Sequence, residues 1–162
     1  MKIKLVFINS HMTNDSGKVI IFTDGACRGN PGKGGWGAVM IYGDKRKTIN
    51  GYSDSTTNNI MELTAVIEAL KALNRRCSIV LTTDSNYVKD GITKWIDGWK
   101  KNGWRTSNKK PVKNKDLWIE LDNLVQGHTI SWEWVKGHSG NPLNDLADDL
   151  ANSAIDENNT DV

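Results

Sequence analysis

Residues 78–85 read Ser78-Ile79-Val80-Leu81-Thr82-Thr83-Asp84-Ser85. A near-continuous apolar run of this length is the pattern of a strand buried on both faces, as inside a sheet covered by helices. Just upstream, Ile60, Leu63, Ile67 and Leu70 recur at helical spacing, and Thr64, Glu68, Lys71 and Arg75 form a polar stripe. An amphipathic helix is therefore expected over residues 60–73. Downstream, Asp84-Ser85 can cap a short helix. Helix, strand and helix in succession imply parallel crossovers. Nearer the N-terminus, VIIFT at 19–23, WGAVMIY at 36–42 and residues 47–52 read as three strands, with Gly29, Pro31, Gly32, Gly34 and Gly35 marking the first turn. This opening is an antiparallel meander. Towards the C-terminus, residues 116–125 are a second amphipathic helix, TISWEWV at 129–135 alternates like a strand, and residues 143–155 are a last helix. The expected architecture is α/β, a mixed sheet with helices on its faces in one domain.

Composition narrows the class. With 162 residues, 38% of them hydrophobic, the chain suits one domain with one buried core. No apolar run approaches the roughly 20 residues of a membrane-spanning helix. Met1 to Ile8 (MKIKLVFI) resembles a secretion signal, but Asn9-Ser10-His11 cut the run short and no small-residue cleavage site follows. Residues 1–18 are expected to be a flexible leader, 19–155 the folded domain and 156–162 a polar tail. Cys27 and Cys77 have neither CxxC spacing nor a histidine cluster, so neither a zinc site nor a disulfide scaffold is indicated, and a reducing cytoplasm fits.

The informative charge is local. Asp24 follows VIIFT and Asp84 follows SIVLTT, and carboxylates beyond strand ends converge at one sheet edge, where open sheets bind ligands. Each has another explanation: Asp24-Gly25 is a turn signal and Asp84 is an N-cap residue. Glu62 can close a capping box opened by Asn59. It also lies in line with Val66, Ala69 and Leu73 on the side facing the sheet, where an ionised carboxylate demands a cation. By spacing alone Asp148 belongs with Asp145, Asp149 and Asn152 on a solvated helix side. Oxygen donors without a Cys or His cluster point to Mg²⁺ or Mn²⁺. Two such ions about 4 Å apart perform phosphodiester chemistry.

From Val19 to Ile155 the chain resembles the bacterial type 1 ribonuclease H family. The motifs are TDGACRGNPGKGGWGA around Asp24, TTNNIMEL around Glu62, TDSNYV around Asp84, WKKNGWRTSNKKPVKNKDLW, and WVKGHSGNPLNDLADDLA. Several long motifs in order are far more specific than one short pattern. The resemblance implies a five-stranded mixed sheet, three antiparallel strands then two parallel, with helices on both faces. It implies a metal site of Asp24, Glu62, Asp84 and Asp148, lifting Asp148 above Asp145 and Asp149. Asp24 would bridge two Mg²⁺ ions, Asp148 would complete the water-activating site, and Glu62 with Asp84 would hold the ion at the leaving 3′ oxygen. The implied reaction is endonucleolytic cleavage of the RNA strand of RNA–DNA hybrids, leaving 5′-phosphate and 3′-hydroxyl ends. His138, in the loop Gly137-His138-Ser139-Gly140, suits a mobile proton carrier. His128 lacks that context and reads as structural.

Residues 100–115 carry Lys100, Lys101, Arg105, Lys109, Lys110, Lys113 and Lys115 with no acidic residue between them, and Trp95, Trp99 and Trp104 interleave. The segment is a phosphate-tracking surface or a solvated charged face. The family's basic protrusion favours the first, with the tryptophans packing the protrusion and Trp104 at the substrate side. A protein tells RNA from DNA through the 2′-hydroxyl. By resemblance Cys27, Asn30, Asn58, Asn59 and Asn86 would lie near the hybrid's minor groove. Thr57 and Asn114 would remain of a phosphate pocket whose usual arginine is replaced here by Asp54 and Ser55. Asn141 and Leu143 also depart from the family pattern. A monomer without a small-molecule cofactor is expected. Two other readings share these residues: a hybrid-binding module without turnover, against which the four acids argue, and another nuclease on the same fold.

Overall fold

The computed structural model describes residues 17–137 and 140–158. Most of the expected leader, the end of the tail, and His138 with Ser139 lie outside these residues. The elements in chain order are β1 (Val19–Gly29), β2 (Gly32–Tyr42), β3 (Lys45–Thr56), α1 (Asn58–Lys71), β4 (Ser78–Thr83), α2 (Asn86–Asp90), a π-helical turn (Gly91–Trp95), α3 (Ile96–Lys101), α4 (Lys115–Gln126), β5 (Thr129–Trp134) and α5 (Pro142–Asn158). The strands form one sheet in the order β3-β2-β1-β4-β5. β1 pairs antiparallel with β2, and β2 with β3; β4 runs parallel to β1, and β5 parallel to β4. The five-stranded mixed sheet is thus as expected.

Strand alternation divides the core between the two faces. On one face Val19, Ile21, Ala38 and Met40 pack with Leu63, Val66 and Leu70 of α1 and Leu121 of α4. On the other, Phe22 and Val39 pack against Ala147 of α5, flanked by Ile20, Ile41 and Leu150. The first strands are longer than their apolar runs. β1 continues through Asp24 to Gly29 and β2 begins at Gly32, so Gly34 and Gly35 lie in a strand and not in the turn. Residues that look like turn formers are held there by the antiparallel ladder, which continues to the pair Gly29–Gly32. α5 likewise runs past Ile155 to Asn158. No helix among the described residues is long and apolar enough to cross a membrane.

The tryptophans of the basic region join it to the body of the protein. Trp118 of α4 is fully buried, and its indole N–H donates to the Tyr87 hydroxyl at 3.0 Å. The Trp118 ring meets Trp99 at 5.3 Å between centroids, and Trp99 meets Trp95 at 5.7 Å and Trp104 at 6.3 Å. These rings therefore pack the protrusion. Removing Trp118 leaves a large void where α1, α4 and the π-helical turn meet. Trp118→Ala is expected to lose about 3–5 kcal/mol of stability, read as a lowered urea midpoint.

Candidate active site

β1 outlasts its parallel neighbour. Pairing with β4 ends at Thr23–Thr83, whereas pairing with β2 continues through Asp24–Gly37. Asp24 and Asp84 are each the first residue past the parallel ladder, so they sit side by side where the sheet opens. Asp24 is therefore a strand residue, and the Asp-Gly turn is not formed. Asp84 is not a cap either: α2 is capped by Ser85, whose side chain accepts from the Val88 N–H at 3.1 Å.

Glu62 is also released from capping. The cap of α1 is Thr57, whose Oγ1 accepts from the Ile60 N–H at 3.2 Å, which places Glu62 beyond the first turn. It is 8% exposed and faces inward, as its alignment with Val66 and Ala69 requires. Close approach of α1 to β1 depends on Gly25: a Cβ there would lie 2.5 Å from the Glu62 nitrogen. On the opposite face, a Cβ on Gly37 would lie 2.5 Å from the Ala147 carbonyl oxygen, so the bare backbone of β2 lets α5 come down onto the sheet. This close approach overturns the solvated-face expectation for Asp148. Asn144, Ala147, Ala151 and Ile155 form the buried stripe of α5, and Asp148 lies on its margin, whereas Asp145 and Asp149 are exposed. Asp148 lies close enough to Asp24 for its carboxyl to help raise the Asp24 pKa.

Asp24, Glu62 and Asp84 each offer a carboxylate oxygen, all within 4.8 Å of one another. Burial pushes the Asp24 pKa up to about 8, and the charges of Asp84 and Asp148 add to the rise. Burial also holds Glu62 well above the usual carboxylate range, reinforced by Asp24 and Asp84. Partial relief comes from the Gly25 N–H, which donates to Asp24 Oδ1 at 2.9 Å and also acts on Glu62, and from the Asn58 amide, 3.4 Å from Glu62 Oε1. The neighbouring charges acting on Asp24 and Glu62 are all carboxylates. Glu62 Oε2 is buried with no hydrogen-bond partner. A dense group of hard oxygen donors with an unpartnered member fits a divalent cation.

A family model for RNase H matches residues 16–156. The chain belongs to the RNase H family. Ribonuclease H of Alcanivorax borkumensis is 64% identical over 139 residues, covering 86% of this chain and 92% of that protein. Ribonuclease HI of Neisseria meningitidis serogroup B is 61% identical over 134 residues, covering 83% and 92%. Among solved structures, LC9-RNase H1, a type 1 RNase H with the type 2 active-site motif, has a TM-score of 0.79 at 35% identity, covering 88% of this chain and 74% of that one. As a bacterial type 1 RNase H the chain is a hydrolase acting on nucleic acid, and its carboxylate cluster is compatible with divalent metal use.

The residues expected to meet substrate in an RNase H fall into separate groups. Around the start of α1, the Asn30 side-chain oxygen accepts from the Asn58 N–H at 3.1 Å, and Cys27 Sγ lies 3.4 Å from the Thr56 carbonyl oxygen, with Thr57 and Asn59 adjoining. Asn86 stands apart, exposed at the start of α2 beside Asp84. Lys100 and Lys101 end α3, Arg105, Lys109 and Lys110 lie in a tight hairpin closed by the Arg105–Pro111 bridge, and Trp104 and Lys113 flank it. Lys100 is less free than the segment's composition suggested, because Asp122 of α4 pairs with it at 3.3 Å. Asn114 donates its amide to the Tyr87 hydroxyl at 3.1 Å, and Thr57 is engaged as a cap, so both remaining members of the expected phosphate pocket already have structural tasks. His128 accepts from the Cys77 N–H at 3.0 Å, tying the starts of β4 and β5. Burial lowers its pKa, and Arg76 adds to this, as suits a structural histidine held neutral. Sequence reasoning missed the roles of Gly25 and Gly37. The available signal was a glycine inside a strand pattern, which marks close approach of another backbone.

Proposed function

We propose that this chain cleaves the RNA strand of RNA–DNA hybrids internally, using two Mg²⁺ ions, with Mn²⁺ as a substitute, and leaving 5′-phosphate and 3′-hydroxyl ends. The observation that carries this reading is the buried, mutually repelling group of Asp24, Glu62 and Asp84, with Asp148 against Asp24. These four side chains would hold the ions, which supply charge neutralisation, polarise the phosphodiester and activate water when bound. Asp24, which is influenced by Asp84 and by Asp148, would serve both ions. Gly25 orients two of the carboxylates through its amide, and rigid backbone contact at Gly25 and Gly37 holds the strand and both helices at fixed separation. His138 is assigned to proton transfer from its sequence context alone.

Residues 100–115 would grip the DNA strand through phosphate contacts, while Cys27, Asn30, Asn58, Asn59 and Asn86 would approach the 2′-hydroxyl edge. The enzyme is taken to act as a cytoplasmic monomer, with residues 19–155 as its catalytic domain. The decisive experiment compares cleavage of labelled hybrid, duplex DNA and duplex RNA with Mg²⁺, with Mn²⁺ and with chelator. RNA-strand cutting confined to the hybrid and to added metal is expected; intact hybrid or cut DNA would remove the reading. Neutralising Lys109 and Lys110 together should weaken hybrid binding and reduce the slope of log K against log salt by about 0.9 for each phosphate no longer neutralised. An unchanged slope would take the hairpin out of the substrate path.

A further inference from the structure

Beside the carboxylates lies a second recess, between the start of α2 and the end of β5. It is a cavity of about 280 Å³ whose lining includes Asp84, Asn86, Lys89, Trp134 and Lys136. Of the three clustered acids only Asp84 borders it, so it adjoins the site through a single carboxylate. Its own charge has the opposite sign. Lys89 and Lys136 are among its lining residues, and neither makes an ion pair with an acidic side chain among the described residues. An excess of cations over acids in a concave site draws an anion into it.

We propose that this cavity seats a phosphate of the cleaved strand next to the scissile bond, with Lys89 and Lys136 as substrate-positioning residues; the inference rests on the hybrid-nuclease reading above. A strand whose phosphodiester lies at the carboxylates carries its next negative charges one nucleotide away on either side, and in the direction of Asp84 that step leads into the recess. Without cations there, the carboxylates would repel the flanking phosphate as well as the one being cut. Two lysines beyond Asp84 offset that repulsion and fix the strand's register. The phosphate next to the cut bond belongs to the cut strand, so this recess acts on RNA. Lys89 lies on α2 and Lys136 just beyond β5, apart from the hairpin assigned to DNA.

The test pairs a protein change with a substrate change. Lys89→Gln/Lys136→Gln is compared with the unmodified chain on hybrids whose RNA strand has one uncharged methylphosphonate linkage, moved stepwise through the positions on each side of a mapped cleavage site. With the unmodified chain, one flanking position should lower kcat/KM roughly tenfold, the size expected for loss of a charge-assisted contact. The double variant should be about tenfold slower on the ordinary hybrid, mainly through KM, and should lose little more when that same linkage is neutralised. Independent, multiplicative losses at every position would overturn the inference, as would an unchanged KM. Thermal midpoints of both proteins distinguish a folding defect, and hybrid binding by an Asp24→Asn background carrying the same lysine changes supplies a readout without turnover. If the unmodified chain leaves hybrid intact, the hybrid-nuclease reading fails and this inference with it; if it cuts normally without the coupling, only this inference fails.

Discussion

Asp24→Asn is expected to abolish cleavage and, in metal-free solution near pH 8, to make the protein more stable than its parent. The loss of turnover should be on the order of a thousandfold or more, as for removal of a central electrostatic group from a preorganised site. The gain in stability follows from proton linkage. The Asp24 carboxyl moves from an ordinary value of 3.8 to about 8 on folding, chiefly because it is buried and secondarily because Asp84 and Asp148 are near. A folded-state value above the unfolded one means that the folded protein binds more protons across that interval. Stability is therefore complete below about pH 4 and is lost as pH rises through about 8. The loss should amount to a few kcal/mol, because protonation free energy changes by roughly 1.4 kcal/mol for each tenfold change in proton affinity. Thermal midpoints recorded with chelator between about pH 4 and 9 should fall for the parent and fall less for the variant, in which Glu62 still titrates. Mg²⁺ should restore the parent at high pH and do little at low pH. A flat parent profile, or a variant less stable than the parent near pH 8, would mean that burial and the neighbouring acids do not disfavour the Asp24 charge as the geometry requires.

Gly25→Ala is expected to impair activity as well, with the opposite change in stability. Its new methyl would fall 2.5 Å from the backbone of Met61 and Glu62, atoms that cannot rotate away. The N-terminal part of α1 must shift, at a cost of about 1–3 kcal/mol for overpacking. Glu62 then leaves its position relative to Asp24, and a displacement near 1 Å in such a site lowers turnover about a hundredfold. The urea midpoint and kcat should drop together. A variant with parental kcat would show that the spacing of Glu62 from Asp24 does not limit the reaction. Together the two substitutions separate charge from geometry: one removes a buried charge and stabilises, the other adds a clash and destabilises, and both impair the site.

The sequence was most readable where a pattern has one local cause. The apolar run at 79–81 and the helical spacing through residues 60–73 correspond to β4 and α1, because buried strands and amphipathic helices leave periodic signatures. Apolar patterning was less informative about where β1 and β2 meet. Their shared hairpin is rich in glycine and polar residues, and its pairing is set by the partner strand. Alternatives for the acids stayed open for the same reason. Asp24-Gly25 reads equally as a turn, Asp84 as a cap and Glu62 as part of a capping box, until Thr57 and Ser85 are seen to do the capping.

By itself the sequence determined the kinds of element, their order, the mixed sheet, and through its motifs the family. Local chain periodicity and residue chemistry suffice for that, since neither depends on what lies across the fold. Only the tertiary structure decided that Asp148, and neither Asp145 nor Asp149, meets Asp24, that Asp122 reaches over to Lys100, and that two lysines from separate elements share one recess beside Asp84. Those facts depend on how closely one backbone can approach another, and that distance is set by atoms remote in sequence.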